Sequence, residues 1–200
     1  MSIKKAYIFI FLIILIDQIS KVYVKTHFYL GEHILVFGQE WFRIHFIENE
    51  GMAWGIELPG DYGKLLLTLF RMIVSPIIMW WLWDSIKQKQ SKYLIFAICL
   101  ILAGALGNLI DSIFYGVIFN ESGAELATIF SDHPYGKLLY GDVVDMFYFP
   151  IYKFENLPSW FPFKDSNNSF TFFNAIFNVA DVAISTGFGI LIVFNKRCFK

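Results

Sequence analysis

Two aspartates stand where apolar surroundings should exclude them. Asp145 lies in the run "YGDVVDMFYF", three residues after Asp142 and among Val, Met, Phe and Tyr. Asp181 lies in "FFNAIFNVADVAIS", where Asn174, Asn178 and Asp181 are spaced i, i+4 and i+7, the spacing of one helical stripe. A charged side chain inside a membrane segment costs at least a few kcal/mol and marks a functional candidate by default. If the two aspartates approach each other, they cannot both comfortably ionise and will share one proton. One carboxylate then activates water and the other donates to a carbonyl, which hydrolyses an amide without a metal or a covalent nucleophile.

Further polar residues interrupt apolar runs. Asp17 and Lys21 are four apart in the first run, on one helical face. They read either as a pair that orients a helix or as support for a nearby site. In "ILAGALGNLIDSIF", Ala103 and Gly107 form a small-xxx-small face for close helix packing, while Asn108 and Asp111 share another face. Those two fit an interhelical hydrogen-bond network and a substrate contact equally well.

These residues need a membrane scaffold to hold them. The 200 residues are 56% hydrophobic, 20% aromatic and 16% charged, with mean hydropathy +0.54, so lipid is the solvent for much of the chain. Four apolar runs, about 6–24, 65–86, 93–115 and 172–194, each approach the twenty or so residues that a bilayer core of about 30 Å requires. The first lacks a small-residue cleavage site and reads as a retained span. Lys4 and Lys5, then Lys87, Lys89 and Lys92, then Lys196, Arg197 and Lys200 fall on one side of a four-span arrangement, which makes that side cytoplasmic.

The long connections, about 25–64 and 116–171, then lie outside. The first alternates through Ile34, Val36, Phe42, Ile44 and Phe46 with glycine punctuation and predicts a small twisted sheet on the membrane. The second, with "SDHPYGK", "ENLPSWFPF" and "KDSNNS", predicts loops and an interfacial aromatic belt that includes Trp160. The fold expected is therefore an all-α membrane protein, one domain over 1–200, with four transmembrane helices, an extracytoplasmic β-sheet cradle and a loop or interfacial insertion.

Other chemistries fit poorly. There is no H-E-x-x-H motif, no cysteine pair at zinc spacing, no D-T-G or D-S-G triplet and no nucleotide loop, and Cys99 has no evident histidine partner. Cys99 and Cys198 are expected to be free thiols, and neither metal nor cofactor is implied. A net charge of −1 presents no basic face for nucleic acid. A small transporter remains open, since intramembrane Asp, Asn and Lys also mark ion paths, as does a non-catalytic scaffold glued by its Asn and Asp residues.

Five blocks in order resemble the lipoprotein signal peptidases, or type II signal peptidases: "DQISK" (17–21), "ENEGMAWG" (48–55), "AGALGNLID" (103–111), "GDVVDMF" (141–147) and "FNVADVAI" (177–184). The resemblance implies an aspartic endopeptidase with its dyad at Asp145 and Asp181. It further implies Asn49, Gly51, Asn108 and Asn178 as groups that orient substrate and carboxylates, with Asp17, Lys21 and Asp111 as structural supports. Gly51 and Gly55 would suit close backbone approach in the outer cradle. The implied substrates are diacylglyceryl-modified prolipoproteins, cut immediately before the lipidated cysteine at the periplasmic face of the bacterial cell inner membrane, with both termini cytoplasmic. Membrane lipid and globomycin-type inhibitors are the other implied partners. The chain departs from the family pattern at Ser112, where arginine is frequent, at Met52, and in a long insertion over 112–144.

Overall fold

The computed structural model describes residues 1–49, 62–123, 125–163 and 166–199. Four apolar helices carry it: α1 (Ile3–His27), α2 (Tyr62–Lys87), α3 (Lys92–Ile118) and α4 (Val179–Val193), followed by a short α5 (Asn195–Cys198). Their ends follow ordinary capping chemistry. Ser2 Oγ accepts from Lys5 N at the start of α1, and Ser91 Oγ accepts from Tyr93 N at the start of α3. Pro76 lies inside α2 and withdraws one backbone donor, as membrane helices tolerate.

Among the described residues, three helices (α1, α2 and α3) are long and apolar enough to cross a membrane, whereas α4 has 15 residues. The run expected to be helical over 172–194 therefore divides. Phe172 ends a strand, Ile176 and Phe177 form another, and the helix begins only after Asn178. Local chemistry decides the boundary: Asn178 caps α4 and Asp181 completes a capping box with it. The stripe expected through Asn174 is corrected accordingly. Asn174 precedes the helix, and its Oδ1 accepts from Tyr148 OH at 2.8 Å.

The α3 helix is the centre of the bundle, with buried residues on every face, including Ile98, Leu102, Gly104 and Asn108. Glycines let α4 lie against it. A Cβ at Gly104 would overlap the Ala180 carbonyl, and a Cβ at Gly187 would meet Ile101 Cγ1 at 2.6 Å and the Ala97 carbonyl at 2.8 Å. Gly107 also faces Ala180 of α4, and Ala103 is buried in the core beside this contact. Because the obstacle at position 104 is backbone, Gly104→Val should lower stability by about 1–3 kcal/mol or more. Gly189, with nothing within 4 Å of its Cβ position, should accept alanine without loss. Thermal unfolding of the two purified variants in detergent would check this; equal midpoints would refute the packing argument.

At one end of the bundle sits a four-stranded antiparallel sheet in the order β1 (His33–Leu35), β2 (Arg43–Asn49), β3 (Val143–Tyr148), β6 (Ile176–Phe177). The sheet thus draws on both long connections, not on the first alone. Ile44 pairs with Phe147 but Ile47 with Asp145, so β2 carries one extra residue there, a bulge that bends the strand while Phe46 stays fully buried. A separate hairpin, β4 (Tyr152–Phe154) with β5 (Phe170–Phe172), carries stacked aromatics such as Phe154 on Phe170. Trp160 lies between those strands and is 77% exposed.

The insertion after α3 has a structural task. Gly136 N donates to Gly116 O, Leu139 N to Ile113 O and Gly141 N to Ser112 O, at 2.8–3.0 Å. Of these carbonyls Gly116 O lies in the last turn of α3, where a helix end leaves carbonyls without intrahelical partners, and Ile113 and Ser112 lie one turn earlier. The chain folds back along the helix and delivers β3 beside it. Gly141 is required at the contact, since a Cβ there would strike the Asp111 carbonyl.

Candidate active site

The site forms where α1, α3, β3 and the start of α4 meet. Its hub is Asn178, fully buried at the N-cap of α4. Capping occupies its Oδ1, which accepts from Asp181 N at 2.9 Å. That fixes the amide so that Nδ2 points across the junction, donating to Asp145 Oδ1 at 2.7 Å and reaching Val144 O and Asn108 Oδ1 at 3.2 Å each. One asparagine therefore terminates α4 and ties Asp181, three residues on, to Asp145 on β3.

Each carboxylate has a second donor. Asp145 Oδ2 accepts from Asn49 Nδ2 at 3.2 Å, across the β2–β3 ladder. Asp181 Oδ1 accepts from Asn108 Nδ2 at 2.9 Å, and its Oδ2 from the Asn178 backbone N–H at 3.2 Å. Their surroundings differ. Asp181 belongs to the first turn of a helix, where amide donors and the helix dipole favour negative charge. Asp145 is 4% exposed; burial, reinforced by the charge of Asp181, pushes its carboxyl up to about 7.

A cation holds the support beneath. Lys21 Nζ is fully buried and makes three short contacts: Asp111 Oδ2 at 2.7 Å, Asn108 Oδ1 at 2.9 Å and Asp17 Oδ2 at 3.0 Å. An ammonium has three donors, and here all three are used. Asp17 Oδ1 accepts from Ala180 N at 2.8 Å, so α1 also satisfies an amide in the first turn of α4. The face shared by Asn108 and Asp111 is real, and Lys21 joins its two members.

Of the residues singled out in the sequence, Asp145, Asp181, Asn49, Asn108 and Asn178 come together, with Asp17, Lys21 and Asp111 directly behind them. Gly51 and Gly55 lie outside the described residues. Asp142 stands apart, paired with Lys64 Nζ at 2.5 Å. Three features escaped the sequence reading. Gln18 Nε2 donates to Asp111 Oδ1 at 2.8 Å and its Oε1 accepts from Tyr115 OH at 3.2 Å. Lys25, fully buried, pairs with Glu48 and donates to Ser122 Oγ at 2.9 Å under the rings of Phe119 and Tyr135. Arg71 reaches from α2 to Ser112 Oγ at 2.7 Å. Gln18 and Arg71 carried a usable signal, a polar side chain inside an apolar run. The Lys25 cluster carried none, because Ser122 lies 97 residues away.

A protein-family model described as signal peptidase (SPase) II matches residues 9–196. A lipoprotein signal peptidase of Porphyromonas gingivalis is 44% identical over 94% of this chain and 81% of its own length. One of Amoebophilus asiaticus is 37% identical over 98% of this chain and 79% of its own. A bacterial membrane enzyme solved by the in meso method at 2.3 Å resolution shares the fold at TM-score 0.63 and 25% identity, over 97% of this chain and 89% of that one. With buried carboxylates gathered at one junction and relatives matching along almost its full length, the chain belongs to the signal peptidase II family of membrane peptidases.

Proposed function

We propose that this protein is an aspartic endopeptidase that removes the signal peptide from diacylglyceryl-modified prolipoproteins, cutting immediately before the lipidated cysteine. The observation that carries the mechanism is the pair Asp145 and Asp181, presented by different elements and bridged by the single amide of Asn178. Asp145, buried and proton-retaining, donates to the scissile carbonyl. Asp181, at the helix N-terminus, takes the proton of the attacking water. Asn49, Asn108 and Asn178 hold the two carboxyl planes so that water and carbonyl meet without reorganisation. Gly51 belongs to the same proposal as a close-approach position of the outer cradle.

The helices support a membrane placement. Asp17, Arg71 and Asn108 lie 12–16 residues from Lys5, Lys87 and Lys92 on their helices, and Asp181 lies 12 residues from the end of α4, about 18–24 Å at 1.5 Å per residue. Four polar positions at one depth describe a site just beneath the far boundary of a bilayer core of about 30 Å, not a route across it. With the basic ends cytoplasmic, all four helices span, α4 stopping short where the site opens. The sheet and the aromatic hairpin then lie at the periplasmic face of the inner membrane. There a substrate can leave its signal helix and acyl chains in lipid while its scissile bond meets water. Globomycin-type inhibitors would occupy the same cleft.

The test is cleavage by detergent-purified protein of one prolipoprotein in two forms, with and without diacylglycerol on the cysteine, followed by mass spectrometry. A cut before the cysteine in the lipidated form alone is expected. Equal cutting of both forms would remove the lipid from the specificity, and cutting elsewhere would reject the assignment.

A further inference from the structure

We propose that Arg71 is a positioning residue for the dyad, a cation delivered from α2 and clamped on Ser112 so that its charge falls on Asp181 and Asp145. The inference rests on the dyad reading above. Arg71 Nη1 donates to Ser112 Oγ at 2.7 Å, and Ser112 Oγ donates in turn to Asn108 O at 3.0 Å. Ser112 is 2% exposed and one helical turn beyond Asn108, whose amide donates to Asp181. The clamp therefore closes on the stretch of α3 that holds the dyad.

The surrounding charges give this cation a purpose. From α1 come Asp17 and Lys21, from α3 Asp111, from β3 Asp145 and from α4 Asp181. Lys21 is committed to Asp17 and Asp111, Lys25 to Glu48 and Lys64 to Asp142. A dyad with one shared proton adds a further negative charge to two aspartates that already share a single lysine. Among the described residues, Arg71 is a cation held against the stretch of α3 that carries Asn108 and Asp111, and it is placed to offset that charge. A guanidinium suits the position because it stays charged when buried and its planar fork can hold the hydroxyl while presenting its charge elsewhere.

The charge has a signed consequence. Removing a cation near two carboxylates makes both protons harder to lose, so both limbs of a bell-shaped profile move to higher pH. The pH dependence of kcat/KM should be measured for wild type, Arg71→Lys and Arg71→Gln on a lipidated prolipoprotein in detergent. The expected result is a displacement of both limbs by about one pH unit in Arg71→Gln, with Arg71→Lys close to wild type. A lowered rate with an unmoved profile in Arg71→Gln would overturn the proposal and leave Arg71 a packing residue. If Arg71→Gln does not fold, Ser112→Ala decides: it keeps the charge but releases the clamp, so kcat should fall several-fold with KM within twofold. An unchanged kcat would overturn the proposal. Wild type that fails to cleave would instead reject the dyad reading itself.

Discussion

Asp145→Asn and Asp181→Asn should each reduce kcat/KM on a lipidated prolipoprotein by at least about ten-thousandfold, while the protein still folds. Each substitution keeps the size of the side chain and removes its titration. The two losses should not add, because a dyad acts as a unit and the second substitution has little left to remove. Each is measured by single-turnover cleavage with a lipidated substrate. Activity within tenfold of wild type in either variant would overturn the dyad.

The same substitutions separate catalysis from stability. Asp145 has a folded-state pKa raised to about 7 from an ordinary 3.8. A carboxyl raised in this way binds its proton more tightly when folded, so it favours the folded form at acid pH and loses that contribution as pH rises through about 7. Asparagine at 145 abolishes the loss. It gives up one hydrogen bond, worth about 1 kcal/mol, because its NH2 must face either Asn49 or Asn178, both of which now donate to Asp145. At pH 8 the two effects oppose, and since relief of the buried charge outweighs one hydrogen bond, the melting temperature of Asp145→Asn should equal or exceed that of wild type despite the lost activity. The wild-type rate should fall as pH rises through the same region, as the acid partner of the pair is titrated away.

The clustering of polar residues was more legible in the sequence than the architecture that holds them. Asp145, Asp181, Asp17 and Lys21 were legible because a charge in an apolar run is expensive and needs a reason. The spacing of Asp17 and Lys21 gave their pairing directly, now seen at 3.0 Å. The start of α4 was misread because Phe172, Phe173, Ile176 and Phe177 are apolar enough to extend a helix, and hydropathy alone does not separate a buried strand from a helical turn. The capping box of Asn178 and Asp181 was the better guide, since its hydrogen bonds require a helix to begin there. The strand character of "VVDMFY" was hidden for a related reason: β3 is buried along most of its length, so it lacks the alternation of a half-exposed strand. The insertion before it was legible only as loops. Its contacts pair loop amides with carbonyls along the last turns of α3, a matter of backbone geometry that side-chain identity does not encode.

Lys21→Met should cost about 3–5 kcal/mol, the usual price of leaving one side of a buried ion pair without its partner. Asp17 and Asp111 are both fully buried and both lean on that ammonium, so the variant strands two carboxylates at once. The damage reaches the dyad as well. Asn108 Oδ1 loses its shorter donor and keeps Asn178 Nδ2 at 3.2 Å, and the opposite end of that amide is the one donating to Asp181. Lys21→Arg should not rescue, because a planar guanidinium cannot aim at three acceptors converging on one point. Neutralising the stranded charges should: Lys21→Met combined with Asp17→Asn and Asp111→Asn removes the uncompensated charge and should recover most of the melting temperature in detergent. Activity should recover less, since Asn108 still lacks the lysine donor. Failure of the triple variant to regain stability would mean that Lys21 matters for the space it fills, and the ionic account of the helix junction would have to be abandoned.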